Sequence, residues 1–392
     1  MATKTGLDVL IRGECTQISG QNVAVVCNQA SIAADCRHIL EHLLECRNPS
    51  AFQIHSAFGP QHGLWGHTQD NMIEWEGATD PRFPFPIHSL YGASREPSDG
   101  QLRDADLMLI DLPDVGARYY TFIWTMSLCF KACERLGIPI VVLDRPNPIG
   151  GTETEGTVGQ EEFASFVGLH PLPIRHGMTT GEIARHFHQR YFPALELKVV
   201  EMEDWGRGMY FTDTDLPWAM PSPNMPTPDT ALVYPGGCLL EATNLSEGRG
   251  TTRPFEMFGA PFIDGIKLCE RLSALDLPGA VFRSVQFQPT FNKFAGQVCE
   301  GAFVHVRERS QFQPFLTYIA ILQETIRQYP KDFAWKQPPY EYEHVKLPID
   351  ILAGNDWLRE AVEQLTPLDQ VDGRFRSEVE EFAPTRKEAL IY

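Results

Sequence analysis

A chain of 392 residues, 43% hydrophobic and 21% charged, has the length of two domains and the composition of a globular protein with a large core. Its 33 basic and 51 acidic residues leave a formal net charge of −18, which repels polyphosphate, so no nucleic-acid partner is expected. No run reaches the roughly 18 apolar residues of a membrane span, and Met1–Asp8 carries no apolar leader core. As written, the chain reads as cytoplasmic and not membrane-bound; a periplasmic or secreted location is expected only if a leader precedes it. The nine cysteines are odd in number, scattered and without a C-x-x-C pair. They read as small core residues in a reducing compartment rather than a zinc site or a disulfide framework.

In chain order, Val23–Cys27 is a compact apolar strand pattern closed by Asn28, and residues 33–46 carry apolar residues at helical spacing. Residues 51–58 read as a strand running into the glycine-rich loop Gly59–Gly66. Residues 107–112 read as a buried strand, 120–136 as a long amphipathic helix, and 138–143 as a third strong strand. Thr179 to Glu182 has the spacing of a capping box, opening a helix to about Arg190, and 195–201 reads as a strand. The proline-rich stretch 217–234 is expected to be an ordered loop over a site and not helix. Beyond Phe255 the pattern restarts: helix at 264–275, strands at 281–287 and 302–306, and an amphipathic helix at 313–328.

This β-α-β rhythm predicts an α/β fold. A Rossmann-like parallel-sheet domain is expected over residues 1–255, and a smaller α/β C-terminal domain over 256–392. In such sheets ligands bind beyond the carboxyl ends of the strands. Asn28, His62, Asp111, Asp114, Asp144 and Arg145 gather there, although any one of them could equally cap a helix or close a turn. No G-x-G-x-x-G follows a strand, and neither a Walker A sequence nor a G-x-S-x-G elbow occurs, so no nucleotide cofactor and no serine hydrolase is expected. His55, His62, His67 and Asp70 lie near one another, but not in the H-E-x-x-H pattern of a zinc helix, and no metal is expected.

Four dense clusters remain: FGPQHGLWG at 58–66, DLPDVGARYYT at 111–121, VLDRPNPIGG at 142–151 and NLSEGRGTTRPFE at 244–256. Each mixes carboxylates, arginines, amides and aromatics with glycine. Glycine lets backbone approach a ligand, guanidinium forks grip a carboxylate, and aromatic faces suit sugar rings as well as a core. With SLYG at 89–92, RHGMT at 175–179 and PSPNMPTPD at 221–229, these motifs resemble the NamZ-like exo-β-N-acetylmuramidase family over about residues 8 to 390. The resemblance implies a glycoside hydrolase that releases N-acetylmuramic acid from the non-reducing end of peptidoglycan fragments. It also implies a cleft between a Rossmann-like domain and a smaller one. A location without a leader would suit recycling of imported muropeptides. The oligomeric state is not readable.

One departure stands out. The family pattern is Glu-His-Gly where this chain has Gln61-His62-Gly63. An amide cannot exchange a proton as a carboxyl does. If position 61 holds the general acid, activity is lost or altered; if it orients the acetamido group, glutamine suffices. Glu74 and Glu76 are nearby substitutes. Glycoside hydrolysis needs a proton donor and a second group at the anomeric carbon, which the acetamido carbonyl of the substrate can itself supply. On that basis Glu241 or Glu247 is expected to be the acid, raised by burial. Asp114 would stabilise the charge developing on the ring, and His62 would position substrate or move a proton. Arg118, Arg145 and Arg249 would hold the lactyl carboxylate, although Arg118 could instead pair with Asp114 or Asp111. Tyr119, Asp144, Asn147, His176, Asn224 and Asn244 would bind the sugar. The alternatives are a glycosidase acting on a related 2-acetamido sugar and a sugar-binding protein of the same fold that has lost catalysis at Gln61.

Overall fold

The computed structural model describes residues 2–46 and 52–392. Its strands, in chain order, are β1 (Gln21–Cys27), β2 (Phe52–Gly59), β3 (Ile87–Ser89), β4 (Leu107–Asp111), β5 (Ile140–Leu143), β6 (Glu155–Val158), β7 (Pro173–Arg175), β8 (Leu197–Val200), β9 (Met257–Ala260), β10 (Ala280–Phe287) and β11 (Cys299–Val306). Six form one sheet in the order β3-β2-β1-β4-β5-β8, with every pairing parallel. The buried apolar runs of β1, β4 and β5 explain why these strands are central: helices cover both faces, so alternation is not needed. The order reverses between β1 and β4, which opens a crevice at their carboxyl ends. This is the expected Rossmann-like architecture. The start of the expected strand at 51–58, Ala51, lies outside the described residues.

The helix Phe122–Leu136 links β4 to β5 and buries most of its first three turns in the core. It ends at Gly137, whose left-handed backbone (φ 69°) returns its N–H to Cys133. The capping box at Thr179 is present: the Thr179 hydroxyl accepts the Glu182 N–H, and the Glu182 carboxylate accepts the Thr179 N–H. A second region holds the antiparallel sheet β10-β11-β9 with the helices Gly265–Ser273 and Pro314–Gln328. The long helix Leu368–Ala389 returns to pack on β6 and on Thr180–Tyr191. There the Tyr392 hydroxyl donates to Asp144 Oδ2 at 2.8 Å, fastening the chain end to the first sheet. Among the described residues no helix is long and apolar enough to cross a membrane.

Two local expectations need correction. The helix expected over 33–46 shortens to Ile39–Leu44, because His38 caps it with an extended backbone and its ring accepts the Leu40 N–H. The chain before it turns instead, with Cys36 in the left-handed region at φ 66°. The proline-rich stretch 217–234 is not loop throughout: Pro228–Gly237 is helical, capped by the Thr227 hydroxyl. Proline at the first helical position loses no hydrogen bond, so its presence there permits a helix.

Candidate active site

Loops far apart in sequence line one polar cavity. Gln61 and His62 follow β2. Tyr120 and Thr121 precede the helix Phe122–Leu136, and Ser222 and Asn224 come from the proline-rich loop. Later in the chain, Glu241, Arg249, Phe255, Tyr340 and Glu341 complete the wall. The space inside is about 40 Å³, room for about three waters.

An ionic cluster forms one wall. Arg249 donates to Glu241 Oε1 at 2.6 Å and lies 3.2 Å from Glu247 Oε1, close enough for an ion pair though out of line for a hydrogen bond. Lys293 donates to Glu247 Oε2 at 2.8 Å, so two cations and two anions balance. Glycines set this geometry. Gly248 and Gly250 flank Arg249 at φ 78° and 79°, and a side chain at Gly248 would stand 2.4 Å from the Met257 carbonyl. The guanidinium also lies 5.1 Å from the centre of the Phe255 ring. Glu241 Oε2 accepts from the Tyr340 hydroxyl at 2.6 Å and from the Asn71 amide at 2.9 Å. Burial pushes the Glu241 carboxyl up, but the Arg249 charge and the Tyr340 hydroxyl, joined by Lys293, outweigh it and hold Glu241 below its usual range. The expected rise of Glu241 by burial is thus opposed by its neighbours, and the direction favours the ionised form. Glu247 stands behind Arg249, outside the cavity lining, and braces the cluster.

The opposite wall centres on position 61. Gln61 Oε1 accepts the Thr121 hydroxyl at 2.7 Å, which orients the amide so that Nε2 donates to Glu341 Oε1 at 3.1 Å. The Tyr91 hydroxyl donates to Glu341 Oε2 at 2.9 Å. Burial pushes the Glu341 carboxyl up to about 7; the Tyr91 bond opposes this and the nearby Glu241 charge adds to it. Sequence reasoning missed Glu341. Its only signal is a carboxylate between two tyrosines after a double proline, Pro338 to Tyr342, in a segment with no strand or helix pattern. Glu74 and Glu76, the substitutes considered for position 61, are exposed. His62 holds a left-handed backbone at φ 71°, a conformation costing about 1–3 kcal/mol for a non-glycine residue. Its Nδ1–H donates to the Thr68 carbonyl at 2.8 Å, which leaves Nε2 free of a proton. Burial lowers this ring to about 4, so it is neutral at ordinary pH.

Of the remaining expected residues, Asn224 and Tyr119 line the cavity. The Asn224 amide donates to the Gln69 carbonyl at 2.7 Å, leaving its oxygen free, while the Tyr119 hydroxyl is spent on the Pro235 carbonyl. Asp114 and Arg145 border a separate apolar hollow at the strand ends, walled by Trp218 and Pro221. The single groove expected from the sequence is thus two neighbouring spaces, parted where Pro221 meets Ser222. Arg145 spends its fork on Asp111, at 2.5 and 2.7 Å. His176 donates to Asp114 Oδ2 at 3.1 Å. Arg118 is in the interior, giving its N–H groups to the carbonyls of Thr157, Leu172 and Leu352, and pairs with neither Asp114 nor Asp111. Asp144 accepts the Gly181 N–H and the Thr179 hydroxyl at the start of a helix. Asn147 bonds Met178 and Ile149, and Asn244 clasps residues 332 to 334. These last four reach no cavity wall, because their polar groups are consumed in holding loops together.

A carboxyl group held low by a cationic neighbour and another raised by burial, both facing one aromatic-walled cavity, are an arrangement suited to glycoside hydrolysis. Comparison with known proteins agrees. The family model for the N-terminal part of exo-beta-N-acetylmuramidase NamZ matches residues 23–229, and the model for its C-terminal part matches 232–392. The peptidoglycan beta-N-acetylmuramidase NamZ of Bacillus subtilis is 39% identical over 389 residues, covering 99% of this chain and 91% of that protein. The crystal structure of a DUF1343 family protein from Bacteroides fragilis is similar at TM-score 0.89 and 28% identity, over 100% of this chain and 99% of that one. A second DUF1343 family protein from the same organism, at TM-score 0.77 and 24% identity over the same shares, has the same fold. The chain belongs to the NamZ exo-β-N-acetylmuramidase family and is a glycosidase.

Proposed function

We propose that the cavity binds the N-acetylmuramic acid unit at the non-reducing end of a peptidoglycan fragment, and that the chain hydrolyses the β-glycosidic bond to release it. Family membership and the Bacillus subtilis relative support this reading. The observation that carries it in the structure is Glu241, a carboxylate held ionised on the cavity wall. In that state it stabilises the positive charge that builds on the anomeric carbon. Of the three arginines considered for the lactyl carboxylate, Arg249 alone lines this cavity, and the substrate would share its fork with Glu241. His62 Nε2 and the Asn224 oxygen accept from sugar hydroxyls.

The test is a pair of 4-nitrophenyl 2-acetamido β-glycosides, one with the lactyl ether and one without. A charge-assisted contact with Arg249 predicts a preference of roughly 10- to 100-fold in kcat/KM for the lactyl substrate. Equal rates would remove the arginine from the argument. Calorimetric binding of N-acetylmuramic acid with no turnover of either substrate would favour the sugar-binding alternative.

A further inference from the structure

Position 61 holds glutamine, an amide with no proton to exchange as an acid, yet the cavity does not lack a carboxyl group beside it. Glu341 reaches it from the other half of the chain, buried and touching the Gln61 amide. We propose, resting on the muramidase reading above, that Glu341 is the general acid of this chain and that Gln61 is its positioning residue. The geometry gives each a part. Thr121 fixes the Gln61 amide with its N–H toward Glu341 Oε1, and an amide always presents a donor there. A glutamate at 61 would present a second carboxyl at that distance, and the pair would share one proton. Glutamine removes the sharing and leaves Glu341 a single acid. The Tyr91 hydroxyl can donate to the ionised form and accept from the protonated one.

The titratable and charged groups around Glu341 are Tyr91, Glu241 and Arg249, its neighbours Tyr340 and Tyr342, and Arg95, whose guanidinium lies 3.8 Å from the Tyr342 ring centre. Their net effect, with burial, keeps Glu341 protonated up to about pH 7 while Glu241 is ionised. Two carboxyls driven apart in this way are the signature of an acid and its charged partner. Tyr340 donates to Glu241 and precedes Glu341 in the chain, so one short segment places both. In the reaction the Glu341 carboxyl gives its proton to the glycosidic oxygen as the bond from C1 to that oxygen breaks. The bonding electrons leave with the oxygen, now the hydroxyl of the departing sugar. C1 bonds to water, directly or after the acetamido carbonyl has held it. That water's proton returns to the Glu341 carboxylate, which the Gln61 amide and the Tyr91 hydroxyl hold meanwhile.

The experiment compares wild type and Glu341→Gln on a β-linked muramyl disaccharide, whose leaving group is a sugar alcohol, and on 4-nitrophenyl N-acetyl-β-muramide, whose leaving group needs no proton. The disaccharide rate is expected to fall about 10²- to 10⁴-fold and the nitrophenyl rate by less than about 10-fold. In wild type, disaccharide turnover is expected to decline as pH rises through about 7, since the acid must be protonated. Equal loss on both substrates, or no loss on either, overturns the assignment. If Glu341→Gln does not fold, Gln61→Glu serves: it replaces a donor with a second acid, so the basic limb moves to higher pH. An unmoved limb overturns the assignment. No turnover by wild type on either substrate overturns the muramidase reading and this inference with it. With an active wild type, the outcome of the substitutions bears on Glu341 alone.

Discussion

The hollow at the ends of β1, β4 and β5 and the polar cavity around Gln61 and Glu241 use the same residue types differently. At the strand ends acids and bases are matched inside the fold: Arg145 grips Asp111, His176 donates to Asp114, and Asp144 takes the start of a helix. Asp114 Oδ1 and Gln29 Oε1 are left there without a partner. In the cavity, polar groups keep something to offer. His62 has an unprotonated ring nitrogen, Asn224 a free oxygen, and Glu341 a proton. The Tyr120 hydroxyl lies buried near Ser222 without a well-formed hydrogen bond. The strand-end side chains are thus committed to internal contacts, while those around Gln61 keep free polar groups. Residues that hold crossover loops against a sheet are consumed by that task, and their polar groups are not free for a ligand.

Several substitutions would sharpen or break this contrast. Glu241→Gln removes the ionised carboxylate and should cut kcat/KM about 10²- to 10⁴-fold on any muramyl substrate. Urea unfolding of Arg118→Met should show a loss of about 3 kcal/mol or more, because three buried carbonyls lose their donor. The folded fraction should keep its specific activity, and a selective rise in KM would return Arg118 to the sugar site. Arg249→Lys keeps the charge but not the fork, so KM for the lactyl substrate should rise roughly 10-fold with less effect on the substrate lacking it. Asp114→Asn should change kcat/KM by less than about 5-fold, under about 1 kcal/mol. A loss as large as that of Glu241→Gln would mean the hollow and the cavity work as one site.

A further effect is expected on stability against pH. Burial raises Glu155 to about 7, and its Oε2 has no partner. In the unfolded chain the same carboxyl releases its proton near pH 4.3. Between those values the folded state holds the extra proton, so stability falls as pH rises from about 4.5 to 7 and levels off above. Glu155→Gln should make the decline of Tm over that window shallower. An unchanged slope would show that Glu155 is ionised when folded.

Much of the first sheet is legible in the sequence because its central strands are short, continuous apolar runs. The run Val23–Cys27 is buried along its length and can be little else. The capping box at Thr179 is legible because its partners are three residues apart. The helix at Pro228 escapes a reading that treats proline-rich composition as a bar to helix without asking which position each proline takes. Glu241, Arg249, Gln61, His62 and Asn224 are legible as candidates because their motifs are dense, and all five reach the cavity. The same density misleads at Arg118 and Asn147, where the motif serves packing.

The sequence alone determined the parallel sheet, the family, and the pool of residues from which a site would be drawn, since apolar periodicity and motif order are local or linear properties. Only the tertiary structure decided which of that pool faces the cavity, that Glu241 is charged, and that Glu341 stands beside Gln61. Burial and the field at a carboxyl group depend on neighbours hundreds of residues away, and folding alone brings them within a few ångströms.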